Sequence, residues 1–178
     1  MVITIDGPAG VGKTTTAKKL GSKLGYQYLD TGAMYRAVTY FFGQHSTDIT
    51  SEDQVKKMLD ILNLELDFTS NDSITVLLDG KDISLLIRSK AVTDAVSKVS
   101  ALQSVREKMV KIQKDTTKNG NFVIEGRDIG TVVFPDVKHK FFLIADYDTR
   151  AKRRFKDFKR VNEELNVNKI KQDLISQV

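Results

Sequence analysis

The sequence has 178 residues, 40% of them hydrophobic and 29% charged, with a formal net charge of +5. That is enough for one domain with a sizeable core and a small insert, and the basic balance suits an anionic partner, either a nucleotide or a nucleic acid. The absence of cysteine excludes disulfides and thiolate metal centres, the two histidines stand far apart, and no apolar run approaches the roughly 20 residues that cross a bilayer.

Met1 to Ile5 reads as a short apolar strand. Gly7-Pro-Ala-Gly-Val-Gly-Lys-Thr14 follows and fits G-x-x-x-x-G-K-[ST], with a predicted helix over Thr14 to Leu24. Strand, glycine-rich loop and helix start are what a phosphate cradle requires: curled backbone amides and a helix N-terminus face the anion. Gly7, Pro8, Ala9, Gly10, Val11, Gly12, Lys13, Thr14 and Thr15 are therefore the expected ATP-binding residues. Lys13 is placed to bridge the β- and γ-phosphates, and the Thr14 hydroxyl to hold Mg²⁺. MVITIDG has neither the basic nor the apolar region of a signal peptide, so a cytoplasmic location is expected.

A second strand over Tyr26 to Leu29 leads into a helix over about Ala33 to Phe42. Ligands of open α/β sheets bind at the carboxyl ends of the strands, which puts Asp30, Thr31 and Arg36 at the mouth of the cleft. Thr50 to Leu62 reads as a helix opened by a capping box, Thr50-x-x-Asp53. Leu62, Leu64, Leu66 and Phe68 then alternate with polar residues, and SITVLLDGKDI carries the turn signal Asp79-Gly80. This stretch predicts a small antiparallel insert, residues 43–98, within a core formed by 1–42 and 99–178.

Ser97 precedes a predicted long helix over Leu102 to Thr117, and Arg106 lies within it. A strand over Phe122 to Ile124 then delivers Glu125 at its carboxyl end, the position where an acid holds Mg²⁺ directly or through water. Gly126 suggests a sharp turn into Arg127 and Asp128. Lys140 to Ile144 reads as another core strand, and Asp148 as the N-cap of a helix. The segment Arg150 to Arg160, RAKRRFKDFKR, holds seven of the 28 Lys and Arg residues. Ala151, Phe155 and Phe158 fall at helical spacing, so its plain reading is a helix with one packed face and solvated cations.

The whole predicts an α/β fold: a P-loop NTPase-type parallel sheet flanked by helices, with a small antiparallel insert and a partial lid over about 155–178. The P-loop alone leaves GTPase, ATPase and small-molecule kinase open. The absence of N-K-x-D speaks against guanine reading. A nucleic-acid-dependent ATPase is suggested by the basic run, but no aromatic interleaving for base stacking accompanies it. Another small P-loop kinase and an inactive nucleotide-binding protein also remain.

IDGPAGVGKTT, LDTGAMYR, VSKVSALQSVRE and IEGRDIGTVVFP together resemble the bacterial cytidylate kinases, in order from Met1 to at least Arg154. DGKDIS with Ile87-Arg88 is similar to that family's enlarged nucleotide-monophosphate-binding insert. The resemblance implies phosphoryl transfer from ATP to CMP or dCMP with Mg²⁺, by a monomer that binds neither nucleic acid nor membrane. It implies that Thr31 lies near the cytosine, that Arg36 and Arg127 bind the acceptor phosphate, and that Ser97, Arg106 and Asp128 read the base edge. Lys13, Arg127 and an ATP-facing lid cation, Arg153, would surround the moving phosphoryl group. The family's chains continue past this point into a lid motif resembling R-D-x-x-D-x-x-R, which would begin about where Gln177 and Val178 stand. The expectation is a shortened chain that binds nucleotides and catalyses poorly.

Overall fold

The computed structural model describes residues 1–68 and 74–159. The larger sheet is built from β1 (Val2–Asp6), β2 (Gln27–Asp30), β6 (Phe122–Gly126) and β7 (His139–Phe142) in the order β2-β6-β1-β7, with every pairing parallel. The small sheet, β3 (Leu64–Asp67), β4 (Thr75–Leu78) and β5 (Lys81–Asp82), is antiparallel. Helices α1 (Lys13–Leu24), α2 (Thr31–Gln44), α3 (Glu52–Ile61), α4 (Lys90–Ser100), α5 (Gln103–Thr117) and α6 (Tyr147–Lys159) complete the described elements, with a 3-10 turn at Leu86–Arg88 and a π-helical turn at Ile129–Val133. This is the α/β architecture expected, including the antiparallel insert.

β1 and β6 lie in the interior of the sheet, and both read as near-continuous apolar runs, as strands covered on two faces must. One core cluster runs from Leu29, Met34 and Phe41 through Val105, Met109, Ile124 and Ile129 to Val76, Leu78, Ile83 and Ile87 of the insert. The insert thus shares the main core, with α2 as the common wall. A second cluster, Ile3, Ile5, Ala17, Tyr28 and Val123, packs beneath α1. Each large side chain removed from water in this way contributes about 1.5–3 kcal/mol before entropy is set against it.

The ends of several elements differ from the sequence expectation. α3 is capped by Ser51, which accepts from the Gln54 amide, while the amide and hydroxyl of Thr50 both donate to Asp48. α6 is opened by Asp146, not Asp148: its carboxylate accepts from the Thr149 amide at 2.7 Å and the Thr149 hydroxyl at 2.8 Å. Helix α4 was not expected at all, because Val92, Thr93, Val96 and Val99 favour strands. Ser89 caps it, and Val92 and Val99 are buried. β7 ends at Phe142, short of the expected Ile144, and among the described residues it is the edge of the sheet rather than a core strand: Phe141 is 51% and Phe142 65% accessible. Of the expected lid, residues 160–178 lie outside the described residues.

Candidate active site

The cradle is held open from below by close backbone packing. Gly7 sits at φ +144°, and a Cβ there would fall inside van der Waals contact with the Leu143 carbonyl. Gly10, at φ +79°, passes so close to α6 that a Cβ would lie 3.0 Å from the Arg150 carbonyl. α1 then starts at Lys13, with neither a capping side chain nor an acid in its first turn. Its end-on amides keep their attraction for an anion. The Lys13 ammonium reaches back to the Pro8 carbonyl at 3.0 Å. Burial, and then the neighbouring Arg127 guanidinium, push its pKa down to about 8, against the opposing pull of Glu125, Asp30 and Asp6. A cation held in this way gains most when an anion arrives.

Glu125 is buried at the end of β6, where the Tyr28 phenol donates to its Oε1 and the Thr14 hydroxyl bonds to it. Burial, then the Asp30 charge, push its carboxyl above the ordinary range. Tyr28 is driven the same way by burial and by Asp30 and Glu125, so it stays a protonated donor. Thr14 and Glu125 offer a hydroxyl and a carboxylate at one point, oxygen donors of the kind Mg²⁺ takes when phosphate and water complete its octahedron. The residues fit the ion, although no group of three or more acidic, His or Cys side chains suited to a metal occurs among the described residues.

The acceptor side is assembled from four elements. The Arg106 guanidinium on α5 is paired with the Asp128 carboxylate after β6, each side chain about one-third exposed. Tyr35 of α2 stands beside this pair; burial raises its phenol pKa while Arg106 opposes the shift. Arg36, one residue on, donates to the Thr93 hydroxyl at 2.9 Å and the Ile87 carbonyl at 3.4 Å, which ties it to the insert and α4. Arg127 reaches solvent and stands near enough to Lys13 to repel it. The structure therefore brings Lys13, Thr14, Glu125 and Arg127 together, and Arg106 with Asp128.

Other expected site residues sit differently. Asp30 caps α2, accepting from the Ala33 amide at 3.1 Å. Thr31 is buried, and its hydroxyl donates to the Glu125 carbonyl at 2.7 Å. Ser97 precedes the long helix α5, as expected, but on a helix of its own, at an exposed position of α4. The Arg153 guanidinium donates to the Val11 carbonyl at 2.8 Å and the Gly10 carbonyl at 3.5 Å, against the cradle itself. Gly126 ends β6 instead of making a turn; it is small because a Cβ would lie 2.7 Å from the Thr31 hydroxyl. Sequence reasoning missed Asp6, Tyr28, Tyr35 and Thr93. Only Asp6 left a signal, a carboxylate at the end of an otherwise apolar strand.

A glycine cradle at the end of a central parallel strand, an acid at the end of its neighbour and an antiparallel insert packed on the shared core define a P-loop nucleoside monophosphate kinase fold. Comparison with known proteins narrows this: the cytidylate kinase family model matches residues 3–177, and the chain belongs to that family. It is 42% identical over 178 residues to the cytidylate kinase of Protochlamydia amoebophila, covering 98% of this chain and 78% of that one. It is 43% identical over 175 residues to the cytidylate kinase of Lactobacillus johnsonii, covering 98% and 75%. It is also 48% identical over 159 residues to a bifunctional pantoate ligase/cytidylate kinase of Prochlorococcus marinus, where it covers 89% of this chain but only 31% of that longer protein. No helix among the described residues is long and apolar enough to cross a membrane.

Proposed function

We propose that this chain transfers the γ-phosphoryl group of ATP to CMP or dCMP, giving ADP and CDP or dCDP. The observation that carries the reading is the continuity of Glu125, Gly126, Arg127 and Asp128. One short segment presents an acid to the cradle, a cation beside Lys13 and a carboxylate paired with Arg106. Donor and acceptor chemistry therefore meet over four residues.

Phosphoryl transfer leaves little covalent work for a protein; positioning and charge neutralisation dominate. The cradle amides and Lys13 hold the donor phosphates. Arg36 and Arg127 grip the acceptor phosphate, which as an anion already needs no strong base. Arg153, on the cradle carbonyls, steadies the loop from the α6 side and stands by the donor phosphates. Thr14 and Glu125 would hold Mg²⁺, which supplies charge neutralisation across the phosphates when bound. On the base side, Asp128 accepts from the cytosine amino group while Arg106 donates to its ring acceptors, with Ser97 and Thr31 completing the pocket. Uracil would turn a carbonyl toward Asp128 and is rejected. The protein acts as a cytoplasmic monomer without nucleic acid or membrane partners, with 43–98 as the nucleotide-monophosphate-binding insert.

A coupled ADP-release assay across CMP, dCMP, UMP and AMP tests this. CMP and dCMP are expected to be phosphorylated and UMP to be poor; a preference for UMP or AMP overturns the reading.

A further inference from the structure

Asp6 is buried at the carboxyl end of β1, immediately before the cradle, and its carboxylate is bonded to the turn after Asp128. Its Oδ1 accepts from the Ile129 amide at 2.9 Å and its Oδ2 from the Gly130 amide at 2.8 Å. These two N–H groups open the π-helical turn that directly follows Arg127 and Asp128. The turn is pressed against β1 there: a Cβ on Gly130 would lie 2.7 Å from the Thr4 hydroxyl oxygen.

Resting on the function proposed above, we infer that Asp6 is a positioning residue that sets the register between the donor cradle and the acceptor loop. Both carboxylate oxygens are committed, each to a charge-assisted bond with an amide that has no helical partner of its own. The rest of the turn is tied mainly to itself: the Val132 amide donates to the Asp128 carbonyl at 2.8 Å and the Phe134 amide to the Ile129 carbonyl at 2.8 Å. Those bonds shape the turn but do not fasten it to β1.

The cradle side is fastened independently of this carboxylate. The Asp6 carbonyl accepts from the Leu143 amide at 2.8 Å, and its backbone is in register with Gly126 on one side and Phe142 on the other. Arg150 donates to the Ala9 carbonyl at 2.9 Å, and Arg153 to the Val11 carbonyl at 2.8 Å. Removing the second acceptor oxygen should therefore loosen Arg127 and Asp128 while leaving the ATP cradle in place.

Asp6→Asn makes this change with little loss of volume, since the amide turns an N–H₂ donor toward one of the two backbone donors. In steady-state assays of the full chain, KM for CMP is expected to rise about tenfold or more while KM for ATP stays within about threefold. Equal rises in both constants, or no change in either, overturn the inference. Should the variant not fold, hydrogen exchange on the wild-type chain decides. The Ile129 and Gly130 amides should exchange at least about a hundredfold slower than free amides, and slower still with CMP present. Exchange at the free rate overturns the inference. A wild-type chain that does not phosphorylate CMP defeats the functional reading instead, and the exchange rates without nucleotide then decide the brace.

Discussion

The Arg106 guanidinium on α5 and the Asp128 carboxylate beyond β6 form an ion pair at the acceptor end of the cleft, with side chains 37% and 32% exposed. A pair so accessible contributes little to stability, on the order of 0–1 kcal/mol. Its value lies in presenting a donor and an acceptor of fixed geometry to a base. Asp128→Asn should accordingly leave the melting temperature within a few degrees of wild type. The CMP-over-UMP ratio of kcat/KM should fall by about tenfold or more, because an amide can donate to the uracil carbonyl. Parallel assays on the two nucleotides, with a thermal melt of each protein, check this.

Lys13 carries a pH dependence whose sign can be worked out. Its ordinary value is 10.5, and in the folded protein burial and Arg127 bring it down to about 8. Between those values the unfolded chain holds a proton that the folded chain has released. This group's contribution to stability without nucleotide therefore rises with pH across that window. Nucleotide binding has the opposite sign, since a phosphate anion favours the charged ammonium. ADP affinity should be flat below about pH 7 and fall by up to about tenfold per unit above about pH 8. Titration calorimetry in buffers of different ionisation enthalpy should show proton uptake near pH 8.5 (about half a unit above the group's value), and Lys13→Met should bind weakly with no such slope.

Gly126 offers a test of how tightly β6 is built into the site. A Cβ there would lie 2.7 Å from the Thr31 hydroxyl oxygen and would also strike the Ile129 side chain. Thr31 cannot give way without losing its 2.7 Å bond to the Glu125 carbonyl. Gly126→Ala should cost about 1–3 kcal/mol, measurable by urea denaturation, and should weaken CMP more than ATP because the displaced groups lead into Arg127 and Asp128.

Much of this was legible in the sequence wherever a local pattern fixed the outcome. The G-x-x-x-x-G-K-T run required a strand before it and a helix after it, and β1 and α1 stand there. Alternation from Leu62 to Phe68 and the Asp79-Gly80 turn gave the antiparallel insert; Asp79 has φ +50° and Gly80 φ +74°. What escaped depends on contacts between distant residues. Asp6 meets Ile129, and Tyr28 meets Glu125, across strands that pair only in the folded sheet. α4 escaped because its β-branched residues argue locally for a strand, while Ser89 as a cap and burial against α2 decide for a helix. The bonds from Arg153 to the Gly10 and Val11 carbonyls were not legible either, since nothing in the chain order reveals that α6 packs on the cradle.

Tyr28 yields the last expectation. Its phenol donates to Glu125, and its hydroxyl is also bonded to Thr14, so one side chain joins the two groups that fit Mg²⁺. Tyr28→Phe would remove that donor from a buried carboxylate already pushed above its ordinary range by burial and by Asp30. Two effects then compete. Losing a hydrogen bond that favours the ionised carboxylate raises its pKa further, which weakens metal binding near neutral pH. Freeing one oxygen gives the cation an additional ligand, which strengthens it. A hydrogen bond to a charged group is worth about 1.5–3 kcal/mol, and burial leaves no water to replace it, so the first effect should win. The Mg²⁺ concentration for half-maximal rate is expected to rise about threefold to tenfold, with the shift shrinking as the pH is raised and the carboxylate form of Glu125 gains. Direct Mn²⁺ titration of the nucleotide complex by electron paramagnetic resonance should show the same loss. Tighter Mn²⁺ binding in the variant would mean that the freed oxygen, not the lost donor, governs the site.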